Sequence, residues 1–311
     1  MELFNSLESI KTSFENAVVT IGNFDGVHIG HRALLKETVK YAKKINGTSV
    51  VITFNPHPLK VLKENGPPVI TRYDQKIELI AESGVDIVIC IPFTKEFASF
   101  TAIRFLEEIL IKKIAMKAIV VGEDYAFGKK RSGNIEFLKE QSEKFNFKVI
   151  IPDLIQMEGL LIGKISSTKI REIIMDGDVN LAPKLLGRFY QIRGKVVSGR
   201  NRGGRLLGFP TANIKLHDEL CPKMGVYAVT IECEFGTFTG VANLGYSPTF
   251  DDHLFTIEVH ILDFNNDIYG KRIRVNFVER LRDEMKFAGI EELSAQINQD
   301  IKKARKIFSE R

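Results

Sequence analysis

The sequence lacks the features that mark secreted, metal-centred and membrane-spanning proteins. Its 311 residues contain three cysteines, which form no Cys-x-x-Cys pair and leave an odd number. We therefore expect reduced thiols, and neither a metal site built on them nor a disulfide framework. The N-terminus has no basic segment followed by an apolar run, and no stretch approaches the roughly 18 apolar residues that a membrane span requires. These absences favour a soluble cytoplasmic protein without a membrane partner.

An excess of charge of one sign is also missing. The chain has 44 Lys and Arg against 39 Asp and Glu, which gives a formal net charge of +5. Such a mild excess suits anionic small molecules and is too weak to indicate a nucleic-acid-binding protein. Hydrophobic residues make up 44% and charged residues 27% of the chain, as in globular proteins, and the length favours two domains.

A glycine-rich turn at 22–31 organises the first half of the chain. It follows an apolar run at 17–21 that is typical of a buried strand, and it precedes an amphipathic helix. Its glycines let the backbone approach a ligand closely, and the free amides and positive dipole end of a helix attract anions. His28 and His31, three residues apart, can touch the same phosphate group. We interpret the turn as a nucleotide-phosphate site; the alternative is a tight turn with two surface histidines.

The first half alternates between apolar strands and helical segments. Strands are predicted at 17–21, 50–54, 87–91, 118–121 and 149–151. Strands that are apolar throughout and separated by helices indicate a parallel sheet covered on both faces. In such folds ligands bind beyond the carboxyl ends of the strands, where the polar clusters at 22–31, 55–58 and 122–131 are expected to converge.

A second anion-binding corner is predicted at 166–171. The hydroxyls of Ser167 and Thr168 lie at the start of a helix, with Lys169 and Arg171 beside them. Ser or Thr at a helix start is usually only a cap. We favour a phosphate-binding role here because of the other clusters.

The pattern becomes β-rich after a boundary expected near 180–187. Strands are predicted at 190–197, 226–234, 238–243, 254–262 and 271–278. Several strands separated by turn signals indicate a closed or nearly closed antiparallel barrel. An amphipathic helix that begins near Ile290 ends the chain.

Two features of the β-rich half suggest chemistry. The basic glycine-rich loop at 199–205 can hold a polyphosphate, while the Thr211 hydroxyl and the Asn213 amide oxygen suit Mg²⁺; the alternative is a solvated basic hairpin. In the strand at 255–261, Glu258 shares the polar face. An exposed glutamate on a strand is more often solubilising than catalytic, so Glu258 is a candidate base only if its face borders the loop site.

These residues together resemble the family of bacterial bifunctional riboflavin kinase/FMN adenylyltransferases, often called FAD synthetases, over nearly the whole chain. The motifs of the first half are GNFDGVHIGH (22–31), TFNPHP (53–58), GEDYAFG (122–128) and ISSTKIR (165–171). Those of the second half are GRFYQIRGKVVSGRNRGGRLLGFPTAN (187–213), GVYAV (225–229), GVANLGYSPTF (240–250), TIEVHILDF (256–264) and LRDEMKF (281–287). The chain departs from many relatives at Ala126 and Ser247.

The resemblance implies a Rossmann-like α/β nucleotidyltransferase domain at 1–183 and an antiparallel β-barrel riboflavin-kinase domain at 184–311. The barrel would phosphorylate riboflavin with ATP, and the first domain would adenylylate FMN to FAD and release pyrophosphate. Expected cofactors and partners are Mg²⁺, ATP, riboflavin and FMN, in a monomer or weak homo-oligomer.

The resemblance also implies roles for individual residues. Catalytic roles fall on Glu258, His28 and His31. ATP of the adenylyltransferase would be bound by Gly22, Asn23, Phe24, Asp25, Gly30, Ser167, Thr168 and Arg171, and its FMN by Asn55, His57, Asp124 and Arg131. ATP of the kinase would be bound by Gly194, Lys195, Gly199, Arg205, Gly208 and Pro210, its flavin by Arg282, Glu284 and Phe287, and its metal by Thr211 and Asn213.

Three alternatives stay open at this point. One is an enzyme with a single working domain, and another is a different His-x-Gly-His transferase, which leaves the Pro-Thr-Ala-Asn barrel unexplained. The third is a flavin-binding storage or regulatory protein without turnover. Metal-dependent consumption of ATP would separate an enzyme from the third.

Overall fold

The computed structural model describes residues 1–152, 165–197, 209–216, 218–246 and 255–311. They form two compact units, Met1–Ser167 and Thr168–Arg311. The division lies earlier than the functional boundary expected at 183/184, because Val179–Leu181 packs against a strand of the second unit. The functional boundary stays a prediction.

The first unit contains a six-stranded sheet whose pairings are all parallel. The strands are β1 (Glu2–Phe4), β2 (Ala17–Ile21), β3 (Ser49–Asn55), β4 (Ile87–Pro92), β5 (Met116–Val120) and β6 (Lys148–Ile150). Their order across the sheet is β1-β4-β3-β2-β5-β6. The expected parallel sheet is confirmed, and β1 is an additional edge strand that is too short to give a sequence signal.

Helices connect these strands. They are α1 (Ile29–Lys44), α2 (Pro58–Leu62), α3 (Tyr73–Ala81), α4 (Lys95–Ala98), α5 (Ala102–Arg104) and α6 (Ile135–Phe145). α5 continues directly into a π-helical segment, Phe105–Lys113. Both faces of the sheet are covered, since Val50 and Ile52 belong to one apolar cluster and the intervening Val51 to another with Leu35 and Leu79.

The second unit contains a closed antiparallel barrel in the order β10-β11-β8-β7-β12-β9. Its strands are β7 (Tyr190–Val197), β8 (Ala212–Lys215), β9 (Gly225–Cys233), β10 (Gly236–Tyr246), β11 (Phe255–Ile261) and β12 (Arg272–Arg282). The barrel prediction is confirmed. The short β8 was not predicted, because four residues after a proline give little period-2 signal.

Helical segments flank the barrel strands along the chain. The segments before the barrel are α7 (Ser167–Asp176), a 3₁₀ turn at Val179–Leu181 and α8 (Ala182–Leu186), and the last element is α9 (Ile290–Ser309). On α9, Ala304 is buried in a cluster with Val226, Ala228 and Val241 of the barrel. This packing fixes the C-terminal helix against β9 and β10.

Candidate functional site

The turn between β2 and α1 forms the centre of the first site. His28 is the N-cap of α1, and its Nδ1 accepts a hydrogen bond from the backbone amide of His31 at 3.3 Å. Because Nδ1 is the acceptor, this geometry assigns the proton of a neutral His28 to Nε2. The remaining amides of the first turn and the positive end of the helix dipole make this position suited to a phosphate.

The two histidines lie face to face. Their ring centroids are 3.6 Å apart with an interplanar angle of 16°, and His28 is buried. Burial, together with the nearby charges of His28 and Lys76, holds the pKa of His31 well below its ordinary value. The imidazole of His31 is therefore neutral at physiological pH without a ligand, and an adjacent phosphate would favour its protonation.

His31 also has an unused polar atom. Within the described part of the chain, its buried Nδ1 has no hydrogen-bond partner. A buried polar atom without a partner is unfavourable in a folded protein unless a ligand or water satisfies it. The atom therefore supports a polar ligand at this turn, which is where the sequence predicted phosphate.

The other residues predicted in the turn lie close to this pair. Added Cβ atoms would lie 3.2 Å from the Phe24 ring at Gly22 and 3.3 Å from the His28 ring at Gly30. The Phe24 ring contacts that of His31 edge-on, with centroids 5.2 Å apart. Both glycines thus leave room for the rings that form the site.

Asp25 connects the turn to the backbone at Ile70 and Thr71 by hydrogen bonds. Its Oδ1 accepts hydrogen bonds from the backbone amides of Ile70 at 2.9 Å and Thr71 at 3.1 Å. The Thr71 hydroxyl in turn accepts from the amide of Gly26 at 3.1 Å. Asp25 is only 3% exposed, and its predicted role in ATP binding stays a prediction.

Ser167, in the predicted second anion-binding segment, contacts the turn. Its hydroxyl donates to the carbonyl oxygen of Asp25 at 2.9 Å. This contact places Ser167 itself beside the turn. Thr168 and Arg171 follow in the same helix and belong to the second unit, so their expected contact with ATP stays a prediction.

A buried lysine that the sequence analysis missed lies beside this site. Lys76 of α3 donates from Nζ to the carbonyl oxygens of Phe54 at 2.8 Å and Asn23 at 3.3 Å. The signal was present, since Lys76 shares the buried stripe of α3 with Leu79 and Ile80. A lysine on the apolar side of an amphipathic helix is unusual enough to be noted as functional.

The residues predicted to bind FMN lie on the loops after β3 and β5. Asn55 ends β3, and its carbonyl oxygen accepts from the amide of Phe93 at 3.2 Å. His57 caps α2, with Nδ1 accepting from the amide of Leu59 at 3.2 Å. Asp124 and Arg131 are exposed on the second loop. The expected contact of these four side chains with FMN stays a prediction.

Aromatic rings that were not predicted lie at the end of β3, after β4 and on the loop after β5. The ring centroid of Phe54 is 5.5 Å from that of Phe93 and 5.9 Å from that of Phe97. The rings of Tyr125 and Phe127 are stacked 5.4 Å apart. Flat apolar rings suit a planar aromatic ligand. The signal was the concentration of phenylalanine around the predicted strand ends.

In the barrel, strand register brings the candidate base to the candidate metal ligand. Glu258 of β11 pairs with Asn213 of β8 on one side and with Asn243 of β10 on the other. Directly opposed residues have Cβ atoms about 4.5–5.5 Å apart and share a face of the sheet. Glu258 therefore lies beside Asn213, whereas the loop at 199–205 lies outside the described residues, so the role of Glu258 as a base stays a prediction. Burial raises the pKa of Glu258.

A histidine holds the segment that enters β8. Nδ1 of His260 is 2.9 Å from the carbonyl oxygen of Pro210, and its ring contacts Phe209 edge-on with centroids 5.6 Å apart. His260 and Glu258 lie on the same face of β11. His260 thus contacts the segment that leads to Thr211 and Asn213, a contact that the sequence did not reveal.

The residues predicted to bind ATP in the barrel are only partly described. Gly199, Arg205 and Gly208 lie outside the described residues. Gly194 and Lys195 lie on β7, and a Cβ at Gly194 would clash with Cγ2 of Ile214. Gly194 therefore allows close packing of β7 on β8, which is independent of any ligand.

The predicted flavin residues begin at Arg282, the last residue of β12, which is held by Asp300 of α9. Nε of Arg282 donates to both carboxylate oxygens of Asp300, at 3.1 and 3.0 Å, and its guanidinium lies 5.8 Å from the Phe287 ring centroid. Asp300 is 2% exposed. Glu284 lies over Gly245 of β10, where a Cβ would meet its carboxylate. The chain after β12 is therefore fixed to both the helix and the barrel.

The oxygen donors near Glu258 fit a magnesium ion bound mainly by phosphates. Thr211 and Asn213 offer a hydroxyl and an amide oxygen, which are hard ligands of the kind Mg²⁺ prefers. Across the described ranges, no group of three or more His, Cys, Asp or Glu side chains is suited to a metal. Mg²⁺ in nucleotide sites is usually bound by one or two protein oxygens, with waters and substrate phosphates as its other ligands.

Comparisons with known families match both units. Residues 10–169 match the family described as FAD synthetase, and residues 186–308 match the family described as riboflavin kinase. Among the residues described here, no helix combines the length and the apolar character needed to cross a bilayer.

Curated relatives match along the whole chain. A Buchnera aphidicola (Schizaphis graminum) protein is 41% identical over 99% of both chains, and an Escherichia coli K12 protein is 39% identical over 94% of this chain and 93% of its own. Both are called bifunctional riboflavin kinase/FMN adenylyltransferase. A crystal structure from Streptococcus pneumoniae, described as a macrolide-efflux protein, has a TM-score of 0.86 and 36% identity over 97% of this chain and 98% of that chain.

Proposed function

The chain belongs to the family of bifunctional riboflavin kinase/FMN adenylyltransferases, and we propose which of its residues carry each reaction. The enzyme phosphorylates riboflavin to FMN and adenylylates FMN to FAD. We assign adenylylation to residues 1–183 and phosphorylation to residues 184–311. The two reactions have different nucleophiles, and the two candidate sites differ accordingly.

In the barrel, the 5′-hydroxyl of riboflavin attacks the γ-phosphorus of ATP. The bond from that phosphorus to the bridging oxygen of ADP breaks, and Glu258 takes the hydroxyl proton. Its raised pKa makes it a stronger base than an ordinary glutamate, which supports the role. Thr211 and Asn213 would hold Mg²⁺, which neutralises phosphate charge when bound. Arg282, Glu284 and Phe287 would hold the flavin.

In the first unit, an oxygen of the FMN phosphate attacks the α-phosphorus of a second ATP. The bond to pyrophosphate breaks, and pyrophosphate leaves. Because the phosphate monoester is already an anion, the step needs no general base and depends on stabilising negative charge. The α1 amides, His28 and His31 would do so, together with Ser167, Thr168 and Arg171. Asn55, His57, Asp124 and Arg131 would orient FMN beside the aromatic rings.

One observation carries the proposal: the pairing of Glu258 with Asn213 in the β8–β11 register. It brings a carboxylate of raised pKa next to an oxygen donor for a metal, on strands whose sequence separation exceeds 40 positions. An ordinary solubilising glutamate would need neither burial nor this neighbour. The corresponding support in the first unit is the unpartnered Nδ1 of His31 at the start of α1.

A time course tests the assignment of the two sites. The purified chain is incubated with riboflavin, ATP and Mg²⁺, and the flavins are separated by chromatography, with a parallel reaction in EDTA. FMN should form first and FAD later, and EDTA should stop both. FMN without FAD would contradict the assignment of the first unit, and FAD from added FMN with no use of riboflavin would contradict that of the barrel. We further expect a cytoplasmic monomer or weak homo-oligomer that binds no nucleic acid.

A further inference from the structure

Lys76 is the buried cation of the first unit that the mechanism above does not use. It is 8% exposed, and both of its hydrogen-bond acceptors are uncharged backbone carbonyls. Burying an ammonium group is unfavourable unless it is paired or fully hydrogen-bonded. Burial lowers the pKa of Lys76, and the acidic groups that oppose this shift are the Cys90 thiol and Asp25, whose carboxylate is already engaged by the amides of Ile70 and Thr71. Ion pairing therefore does not explain why a lysine lies here.

The two carbonyls that Lys76 holds belong to the two halves of the candidate site. Asn23 lies in the turn that leads to His28 and His31. Phe54 immediately precedes Asn55 and the loop that carries His57. The Nζ of Lys76 lies 3.3 Å from the first oxygen and 2.8 Å from the second. One buried group thus connects the predicted phosphate side to the predicted flavin side.

The contact with Lys76 also fixes the direction in which the Asn23 carbonyl oxygen points. The Asn23 carbonyl accepts a second hydrogen bond from the Thr53 hydroxyl at 3.2 Å. Both donors lie inside the unit, so this carbonyl oxygen is directed inward. A carbonyl oxygen turned towards a polyphosphate would repel it, whereas amide hydrogens attract it. Lys76 and Thr53 therefore keep an unfavourable dipole away from the anion.

The charge of Lys76 acts on the catalytic histidine as well. It is among the causes that hold the pKa of His31 below its ordinary value. Lys76, His28 and His31 form a group of basic side chains around the turn. The carboxylate of the turn, Asp25, accepts hydrogen bonds from backbone amides. Such a group of basic side chains is best satisfied when an anion is bound.

We propose that Lys76 is a positioning residue for FMN adenylylation, whose buried ammonium aligns the phosphate-binding turn at Asn23 with the flavin-side loop after Phe54. The inference rests on the proposed assignment of adenylylation to the first unit. It makes no claim that Lys76 touches either substrate. Because the same group fixes both loops, we expect its loss to raise KM for ATP and for FMN.

The test compares three variants in the full-length enzyme. Lys76→Met keeps the apolar stem and removes the donors, Lys76→Arg keeps a donor cation, and Lys40→Met removes an exposed lysine of α1 as a control. We expect Lys76→Met to raise KM for both ATP and FMN and to lower kcat/KM of adenylylation about 10- to 100-fold, the range seen for small misplacements of reacting groups. Lys76→Arg should retain more activity than Lys76→Met, and Lys40→Met should match the parent.

Riboflavin phosphorylation by the same molecules serves as the internal control. It should be unchanged in all three variants, and thermal unfolding should show that each is folded. Lys76→Met with parental kcat/KM and KM values would overturn the inference. So would a parallel loss of both activities in Lys76→Met with full recovery in Lys76→Arg, since the lysine would then support folding alone.

His31→Ala measured alongside separates this inference from the assignment on which it rests. If His31→Ala still forms FAD normally, the assignment of adenylylation to this turn fails. If His31→Ala is inactive while Lys76→Met resembles the parent, the assignment stands and the inference about Lys76 fails.

Discussion

The first unit gathers its candidate phosphate-binding groups where a parallel strand ends and a helix begins, whereas the second unit presents them on the outer face of a barrel. In the first, the groups are helix amides and two stacked histidines, and the buried carboxylate, Asp25, is engaged by backbone amides. In the second, a carboxylate of raised pKa, Glu258, lies across from Asn213. Both sites are assigned to handle the same nucleotide.

The difference follows from the nucleophile that each site has to use. FMN brings a phosphate oxygen that is already negative, so the first site only has to stabilise charge. Riboflavin brings an alcohol that must lose its proton, so the second site needs a base. If this comparison is right, single substitutions should separate the two activities of one molecule.

The largest separation is expected from Glu258→Gln. The amide keeps the size of the side chain but cannot accept the riboflavin proton, and loss of a general base typically lowers the rate about 10²- to 10⁴-fold. Phosphorylation of riboflavin should fall by this amount, while FAD formation from supplied FMN should stay at the parental rate. Both are measured by chromatography of the flavins. Glu234→Gln, at an exposed ion pair with Lys271, is the matched control.

An equal loss of both activities in folded Glu258→Gln protein would contradict the comparison. So would full kinase activity in this variant, because the alcohol would then lose its proton without Glu258. The Glu258→Ala variant extends the test, since it removes the side chain altogether and should give the same division of activities.

The reverse separation is expected from His31→Ala. Removing one preorganised donor to developing negative charge lowers rates about 10²- to 10³-fold. FAD formation should fall by this amount, whereas riboflavin phosphorylation should not change. Rates of FMN and FAD formation from the same preparation provide the measurement. If phosphorylation falls too, the two sites are not separate and the division of labour is wrong.

Asp300→Asn tests the flavin side of the barrel and should have a smaller effect. Asp300 is 2.8 Å from Nη2 of Arg282, and both side chains are largely buried. Breaking a buried pair lowers stability by about 3–5 kcal/mol, and loosening of Arg282 should raise KM for riboflavin about tenfold. Calorimetry and initial rates measure the two effects.

The control for Asp300 comes from the same helix. Arg305 of α9 forms a pair of 2.8 Å with the exposed Asp263, and exposed pairs contribute little to stability. Asp263→Asn should therefore change neither quantity. An unchanged riboflavin KM in folded Asp300→Asn protein would remove Arg282 from the flavin site.

The parts of the structure that depend on local pattern were predictable from the sequence. Apolar runs gave β2, β3 and β4, and alternation placed Glu258 on the polar face of β11. The partners of Lys76 and of Arg282 were not predictable, because a single sequence does not show which helix face meets which loop or strand. Their partners lie 22 or 53 positions away for Lys76 and 18 for Arg282, and only the folded chain identifies them.

The smallest expected effect is on the pH dependence, and it sharpens the comparison between the two units. Burial raises the pKa of Glu258, and the base must be ionised to accept a proton. The kinase should therefore lose activity as the pH falls through a value above the ordinary glutamate pKa of about 4.3. In Glu258→Asp this acid limb should move to lower pH, because the ordinary aspartate pKa is lower.

The rate of adenylylation also falls in acid, because the FMN phosphate takes up a proton near pH 6, but this decrease comes from the substrate and not from an enzyme residue. Profiles of kcat/KM for both reactions in the parent and in Glu258→Asp should show a shift for phosphorylation alone, and a shift in both would mean that Glu258 does not act as the kinase base alone.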